Sequence, residues 1–248
     1  MTGKVMTTNV YDRRARWVAT DSRWSVRWMH WVAYVDDVYF YKIEPFKRTI
    51  FVFAGNGLRI QGWKNWLRSQ PQDLRAMPPV DGICVWIIDM NGGMVIFEKG
   101  GGVSDHAYFA GTGAKYAQEC WSRNQSAIQA VETAKKFDIF TGGEVKYFEL
   151  EFKRHNLYPV TVDVTIDMVQ KTIFERGCIV DLNQPNIGSV PAAASPVVSS
   201  KQDLESFKQL LASGTMVPES PSPGMNAPWT EHELSSLKSV LTDVMHKD

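Results

Sequence analysis

Residues 8–19 and 25–43 are rich in Val, Trp and Tyr with little helical periodicity, and both stretches read as strand. The run TIFVFAGNG, residues 49–57, is an apolar strand that ends in a glycine-rich turn. LRIQGWKNWLRSQ then sets Leu58, Trp63, Trp66 and Leu67 on roughly one helix face, with Gly62 as an unfavourable interior residue. In GICVWIIDMNGGMVIFEKGGG two apolar runs flank Asn91-Gly92-Gly93, residues that tolerate positive φ, and this predicts a hairpin. Ser126 is placed to cap a helix with apolar positions Ile128, Val131 and Ala134 that ends near Phe137, and GEVKYFELEF returns to strand. Such alternation of short strands and amphipathic helices predicts an α+β fold.

After Asp181 the pattern changes. NQPNIGSVPAAASPVVSS reads as a Pro/Ala/Ser-rich linker. Ser200 is placed to cap a short helix with Leu204, Phe207, Leu210 and Leu211 on one face and Gly214 as its stop. A second linker, VPESPSPGMNAP, precedes Thr230-Glu231-His232-Glu233, which fits a capping box. The helix that follows carries Leu234, Leu237, Val240, Leu241, Val244 and Met245 as an apolar seam, which docks on its own domain or on a partner. The expected division is a leader over residues 1–6, a domain over 7–183, and a linker-rich extension over 184–248 with two short amphipathic helices.

Composition narrows the function classes. The 248 residues are 44% hydrophobic and carry 27 basic against 27 acidic side chains, enough chain for one substantial domain and no general attraction to nucleic acid or a membrane surface. No run approaches the roughly 18 apolar residues of a membrane span, and no secretory signal pattern opens the chain. Cys84, Cys120 and Cys178 are widely spaced and odd in number, which points to a reducing compartment and hence a cytoplasmic location. His30, His106 and His155 show no zinc spacing, and nothing in the sequence asks for a metal or cofactor.

Four local features carry candidate chemistry. Thr7-Thr8 opens a strand; Asp21 follows it in ATDSR; Lys42 precedes Ile43 in YKIEPF, just before the apolar strand that ends in Ala54-Gly55; and GTGAKYA is followed one helix later by DIFTGG. In this order, over about residues 7–150, the chain resembles the proteasome β-subunits and bacterial HslV-type threonine proteases, members of the N-terminal-nucleophile hydrolases. The resemblance rests on TTNVYDRRARWVATDSR, AGTGAKYAQ and DIFTGGEV. It implies a four-layer αββα sandwich of two antiparallel sheets between helices. It also implies a mature chain that begins at the catalytic Thr7, with Asp21 and Lys42 beside it. Gly55 would offer its N–H to the substrate carbonyl, and Thr112, Asp138 and Thr141 would form a hydroxyl and carboxylate network around the amine.

The chemistry suits these residue types. A hydroxyl at neutral pH needs an adjacent base. A free α-amine titrates near 7.7–8.0 in model compounds and is already joined to the nucleophile. A nearby Lys42 ammonium would lower that amine further, Asp21 would hold Lys42 oriented, and one oxyanion donor is worth about 3 kcal/mol.

Six residues, MTGKVM, precede Thr7, so the free amine requires their loss, by initiation at Met6 and excision of that Met or by hydrolysis of the Met6–Thr7 bond. The stretch between Asp21 and Lys42 is longer than the family's and carries Trp24, Trp28 and Trp31, residues for a substrate pocket, a subunit interface or the core. The leading expectation is a threonine-type peptidase in a homo-oligomeric ring, with polypeptide as substrate and an ATPase or other protein as partner. The alternative is an inactive scaffold that recruits partners through its C-terminal helix.

Overall fold

Strands here are short because polar turn residues interrupt the apolar runs every four to eight positions. In the structure, a computed structural model that describes residues 7–158, 163–183, 190–191 and 201–246, these runs become β1 (Thr8–Asp12), β2 (Trp17–Thr20), β3 (Trp24–Trp28), β4 (Trp31–Val35), β5 (Ile43–Phe46) and β6 (Thr49–Asn56). Helix α1 (Gly57–Arg68) leads to β7 (Ile83–Asp89), β8 (Val95–Lys99), β9 (Gly102–Ser104) and β10 (Ala107–Gly111). Then come α2 (Ala114–Asn124), α3 (Ala127–Phe137), β11 (Lys146–Glu149), β12 (Arg154–His155), α4 (Ile166–Arg176), β13 (Cys178–Asp181) and β14 (Val190–Pro191). The chain closes with α5 (Lys201–Ala212), β15 (Glu219–Ser220) and α6 (Glu231–His246). The expected leader, residues 1–6, and most of the first linker lie outside the described residues.

The strands form two antiparallel sheets, one ordered β12-β11-β2-β1-β10-β9 and one ordered β14-β13-β4-β3-β15-β6-β7-β8 with β5 also paired to β6. Alternation along each strand decides what its faces meet. Tyr11, Val18 and Ala110 of the first sheet pack against Ile43, Val52 and Trp86 of the second. Their neighbours Val10, Ala19 and Phe109 turn the other way, onto Trp121 of α2 and Ala130, Val131 and Ala134 of α3. On the far face of the second sheet, Phe51, Phe53, Val85 and Ile87 meet Ile60 and Trp63 of α1 and Val169 and Ile173 of α4. Phe207 of α5 and Leu237 and Leu241 of α6 join that same core. The molecule is thus mixed α+β, with a layering compatible with a sandwich.

Several sequence expectations hold with changed boundaries. The strands read over residues 8–19 pair as a hairpin: Asp12 Oδ1 accepts from Arg14 N and Ala15 N at 2.9 and 3.1 Å, and Arg16 takes φ +59°. The stretch 25–43 holds two strands that turn at Met29, φ +52°. Neither turn carries the glycine or asparagine that marks such corners in a sequence. The hairpin at residues 91–93 forms as expected, with Gly93 at φ +63° and its N–H on Asp89 O at 2.9 Å. Helix α1 forms despite Gly62, but Leu58 faces solvent and Ile60 takes the buried place. Trp24 and Trp31 are core residues, and Trp28 packs partly buried against the same core. The reciprocal capping box forms, Glu233 N on Thr230 Oγ1 at 3.2 Å and Thr230 N on Glu233 Oε2 at 2.8 Å. The second linker is in part a strand, since β15 inserts between β3 and β6.

Candidate active site

Strand β1 lies between β2 and β10, and its pairing fixes what surrounds its first residues. Asn9 opposes Thr20, so Asp21 emerges beside the start of β1, with its own N–H on Thr8 O at 3.2 Å. From the second sheet, Lys42 enters just ahead of β5, held by Phe53 N–H on its carbonyl at 2.8 Å. Asn9 Nδ2 donates to Phe53 O at 3.2 Å and ties the two sheets together at this point. The site therefore sits where the sheets face each other, at the end of the strands that carry it.

Three of the predicted residues converge there. Lys42 Nζ donates to Thr7 Oγ1 at 2.5 Å and to Asp21 Oδ1 at 2.8 Å, and Thr7 Oγ1 donates to Asp21 Oδ1. Asp21 Oδ1 also accepts Thr8 N at 2.9 Å, and its Oδ2 accepts Arg23 N at 3.1 Å and Gly142 N at 3.3 Å. Thr7, Asp21 and Lys42 are all buried. Burial lowers the Lys42 pKa below that of a free lysine, with the Asp21 charge and hydrogen bond opposing the shift. A hydroxyl held against an amine and a carboxylate, away from water, has a ready path for its proton.

The other predicted hydroxyls form a second group. Asp138 Oδ2 accepts from Thr112 Oγ1 at 2.7 Å and Thr141 Oγ1 at 2.5 Å. Thr141 Oγ1 in turn meets Thr8 Oγ1 at 2.7 Å. The chain of contacts reaches Thr8, not Thr7, because alternate side chains of a strand point to opposite faces. Burial raises the Asp138 pKa above the usual carboxylate range, against the pull of its hydroxyl donors. The expected network thus exists one residue along from the expected nucleophile.

Gly55 ends the fully buried part of β6 at φ +123°, a conformation left almost entirely to glycine, and a Cβ there would collide with the Gly82 carbonyl. Its neighbour across the sheet on one side is Ile83, and on the other Ser220. Thr7 N–H donates to the carbonyl of Pro221 at 2.6 Å.

Among solved structures, Thiobacillus denitrificans BPH in complex with epoxomicin is similar to this chain with a TM-score of 0.40 and 14% identity, over 58% of this chain and 99% of that chain. No family model matches the sequence, and comparison with curated proteins gives no match.

Sequence reasoning missed the residues that hold Asp21 in place. Arg23 grips Asp36 with Nε on Oδ1 at 2.8 Å and Nη2 on Oδ2 at 2.7 Å, and its guanidinium lies 3.6 Å above the Tyr34 ring. Ser22 Oγ donates to Asp37 Oδ1 at 2.7 Å, and Glu144 N donates to the same oxygen at 2.6 Å. The tripeptide DSR at residues 21–23 and the dipeptide DD at 36–37 carry these roles, and nothing in their local pattern marks them. Among the described residues no group of three or more His, Cys, Asp and Glu is placed to hold a metal ion, and no helix is long and apolar enough to cross a membrane.

Proposed function

We propose that the chain is a threonine-type peptidase or amide hydrolase of the N-terminal-nucleophile class, resembling proteasome β and HslV subunits, with Thr7 as nucleophile. The observation that carries this reading is the buried contact set of Thr7, Asp21 and Lys42, drawn from three separate segments onto one hydroxyl. A structural Thr needs no buried amine at 2.5 Å, and burying Lys42 costs several kcal/mol that the Asp21 contact must offset.

With Thr7 as chain terminus, its α-amine takes the proton from Oγ1 as Oγ1 adds to the carbonyl carbon of the substrate amide. The Lys42 charge favours the neutral, basic form of that amine, and Asp21 orients Lys42. The Gly55 N–H receives the negative charge that develops on the carbonyl oxygen. Collapse breaks the C–N bond, the α-amine hands its proton to the departing nitrogen, and an ester on Thr7 remains. Water, deprotonated by the same amine, releases the acid and restores the hydroxyl. Asp138 with Thr112 and Thr141 supports the Thr8 end of β1. The substrate class is polypeptide and copies assemble as a ring, both by the resemblance; the domain spans about residues 7–183 by the change in composition after Asp181, with 184–248 as an extension whose α5 and α6 pack on the same core. The scaffold reading gains nothing, since its docking helix buries Leu237, Leu241 and Val244.

The test is turnover of fluorogenic peptide amides by chain released from a cleavable fusion so that Thr7 is its first residue. Activity is expected for that chain and for Thr7→Ser, and loss to background for Thr7→Ala with its thermal transition retained. Equal turnover by Thr7→Ala overturns the assignment.

A further inference from the structure

Residues 218–222, in the proline-rich stretch VPESPSPG, run between the strands that flank the Thr7 site. Glu219 pairs with Ser25 of β3 on one side and Asn56 of β6 on the other, and Ser220 pairs with Gly55, antiparallel throughout. Gly57 N–H donates to Pro218 O at 3.0 Å. Hydrogen-bonded pairs of an antiparallel ladder recur at every second residue, so Gly55 and Ser220 are the next such pair. That register turns the Gly55 N–H toward the Ser220 carbonyl, while Pro221 O receives the Thr7 N–H at 2.6 Å. Pro218, Ser220, Pro221 and Ser222 are buried with Thr7 beneath them. An extended segment of this chain thus lies where strand addition would seat an extended polypeptide.

Resting on the peptidase reading, we infer that residues 218–222 are an autoinhibitory strap that fills the acceptor cleft between β3 and β6, so that an extended polypeptide binds only when the strap leaves. The strap covers the site without being suited to cleavage there. The carbonyl that faces Gly55 is joined to Pro221, a tertiary amide whose nitrogen sits in a ring.

Both ends of the strap are fastened. Upstream, Leu204, Phe207 and Leu211 of α5 are core residues. Downstream, Trp229 stacks on Phe97 at 5.9 Å, and Lys99 Nζ donates to Pro228 O at 3.1 Å and to Glu233 Oε1 at 2.8 Å. The middle is weak by comparison. Its strand has two residues, Pro218 and Pro221 have no N–H for the ladder, and Ser220 Oγ is buried without a partner among the described residues. Tethering at both ends keeps the strap at the cleft at an effective concentration on the order of millimolar, which a competing peptide must overcome. An open groove lined by Gly101, Gly102, Gly111, Thr112, Pro223 and Gly224 adjoins the covered site.

The test uses the chain from Thr7 to Asp248, released from the same cleavable fusion so that Thr7 is its first residue, and fluorescein-labelled casein as the extended polypeptide. Binding is followed by anisotropy and turnover is read in the same samples. Ser25→Cys with Glu219→Cys places thiols at directly paired positions, a separation that suits a disulfide, and locks the strap on oxidation. Ser220→Arg forces bulk into a fully buried position and opens it. The expected results are binding lost in the oxidised pair, restored by reductant, and at least about tenfold tighter in Ser220→Arg, given the competition that tethering imposes. If Ser220→Arg fails to fold, the oxidised and reduced forms of the pair decide alone. Equal casein affinity in the locked and reduced forms overturns the strap. Affinity that responds to the lock with no turnover in any form leaves the strap standing and removes the peptidase reading.

Discussion

Lys42 is buried between a carboxylate and a hydroxyl, and this one side chain separates chemistry from packing. Lys42→Met is expected to lower peptide turnover by about 10²–10⁴, because without the Lys42 charge the α-amine loses the neutral, basic form that supplies general-base catalysis. It also strands the Asp21 carboxylate, a loss of about 3–5 kcal/mol in denaturant unfolding. The double variant Lys42→Met with Asp21→Asn removes the orphan charge, so most of that stability returns while turnover does not. Recovery of both together would make the pair structural. Asp138 gives a second prediction at this scale. Its pKa is raised in the folded chain by burial, so the native state binds more protons than the unfolded one from the ordinary carboxylate value near 3.9 upward to the folded value. Stability therefore falls as pH rises through that window, by at most about 1.4 kcal/mol per pH unit. Asp138→Asn should flatten this part of a plot of unfolding free energy against pH, and an unchanged slope would remove Asp138 as its source.

At the scale of elements, β6 matters most because its penultimate residue, Gly55, is a glycine that cannot be replaced without strain. Gly55→Ala pushes a methyl group into the Gly82 carbonyl at φ +123°. The expected costs are about 1–3 kcal/mol of stability and, with the N–H displaced, about 10²–10³ in turnover. Gly102→Ala, which meets none of the described residues within 4 Å, is the control and should stay within about 0.5 kcal/mol of the parent in thermal unfolding. Much at this scale was legible in the sequence. The 91–93 hairpin, the α3 cap at Ser126 and the capping box at Thr230 all declare themselves through residues whose backbone chemistry is local. The corners at Arg16 and Met29 do not, because their positive φ is imposed by strand pairing on residues with no preference for it. Leu58 was misread for a related reason: periodicity gives the spacing of a helix face, while the partner sheet decides its rotation, and that places Ile60 inward.

Over the whole molecule, the two sheets bring together residues that the sequence could only align by order. Thr7, Asp21 and Lys42 were readable as a set through resemblance, and beside their contact Asn9 ties β1 to β6 across the sheets. The Thr112, Asp138 and Thr141 group was readable too, but its registration on Thr8 follows from the alternation of β1, which no motif encodes. The strap was the least legible part. A stretch of Pro and Ser has the composition of a linker, and only the gap between β3 and β6 makes a strand of it. The arrangement as a whole makes sense as chemistry if Thr7 has a free α-amine. The most direct measurement is therefore the intact mass and N-terminal sequence of the chain purified from its native source. The account predicts a mature chain that begins at Thr7; a chain that retains residues ahead of Thr7 would leave that nitrogen an amide and contradict it.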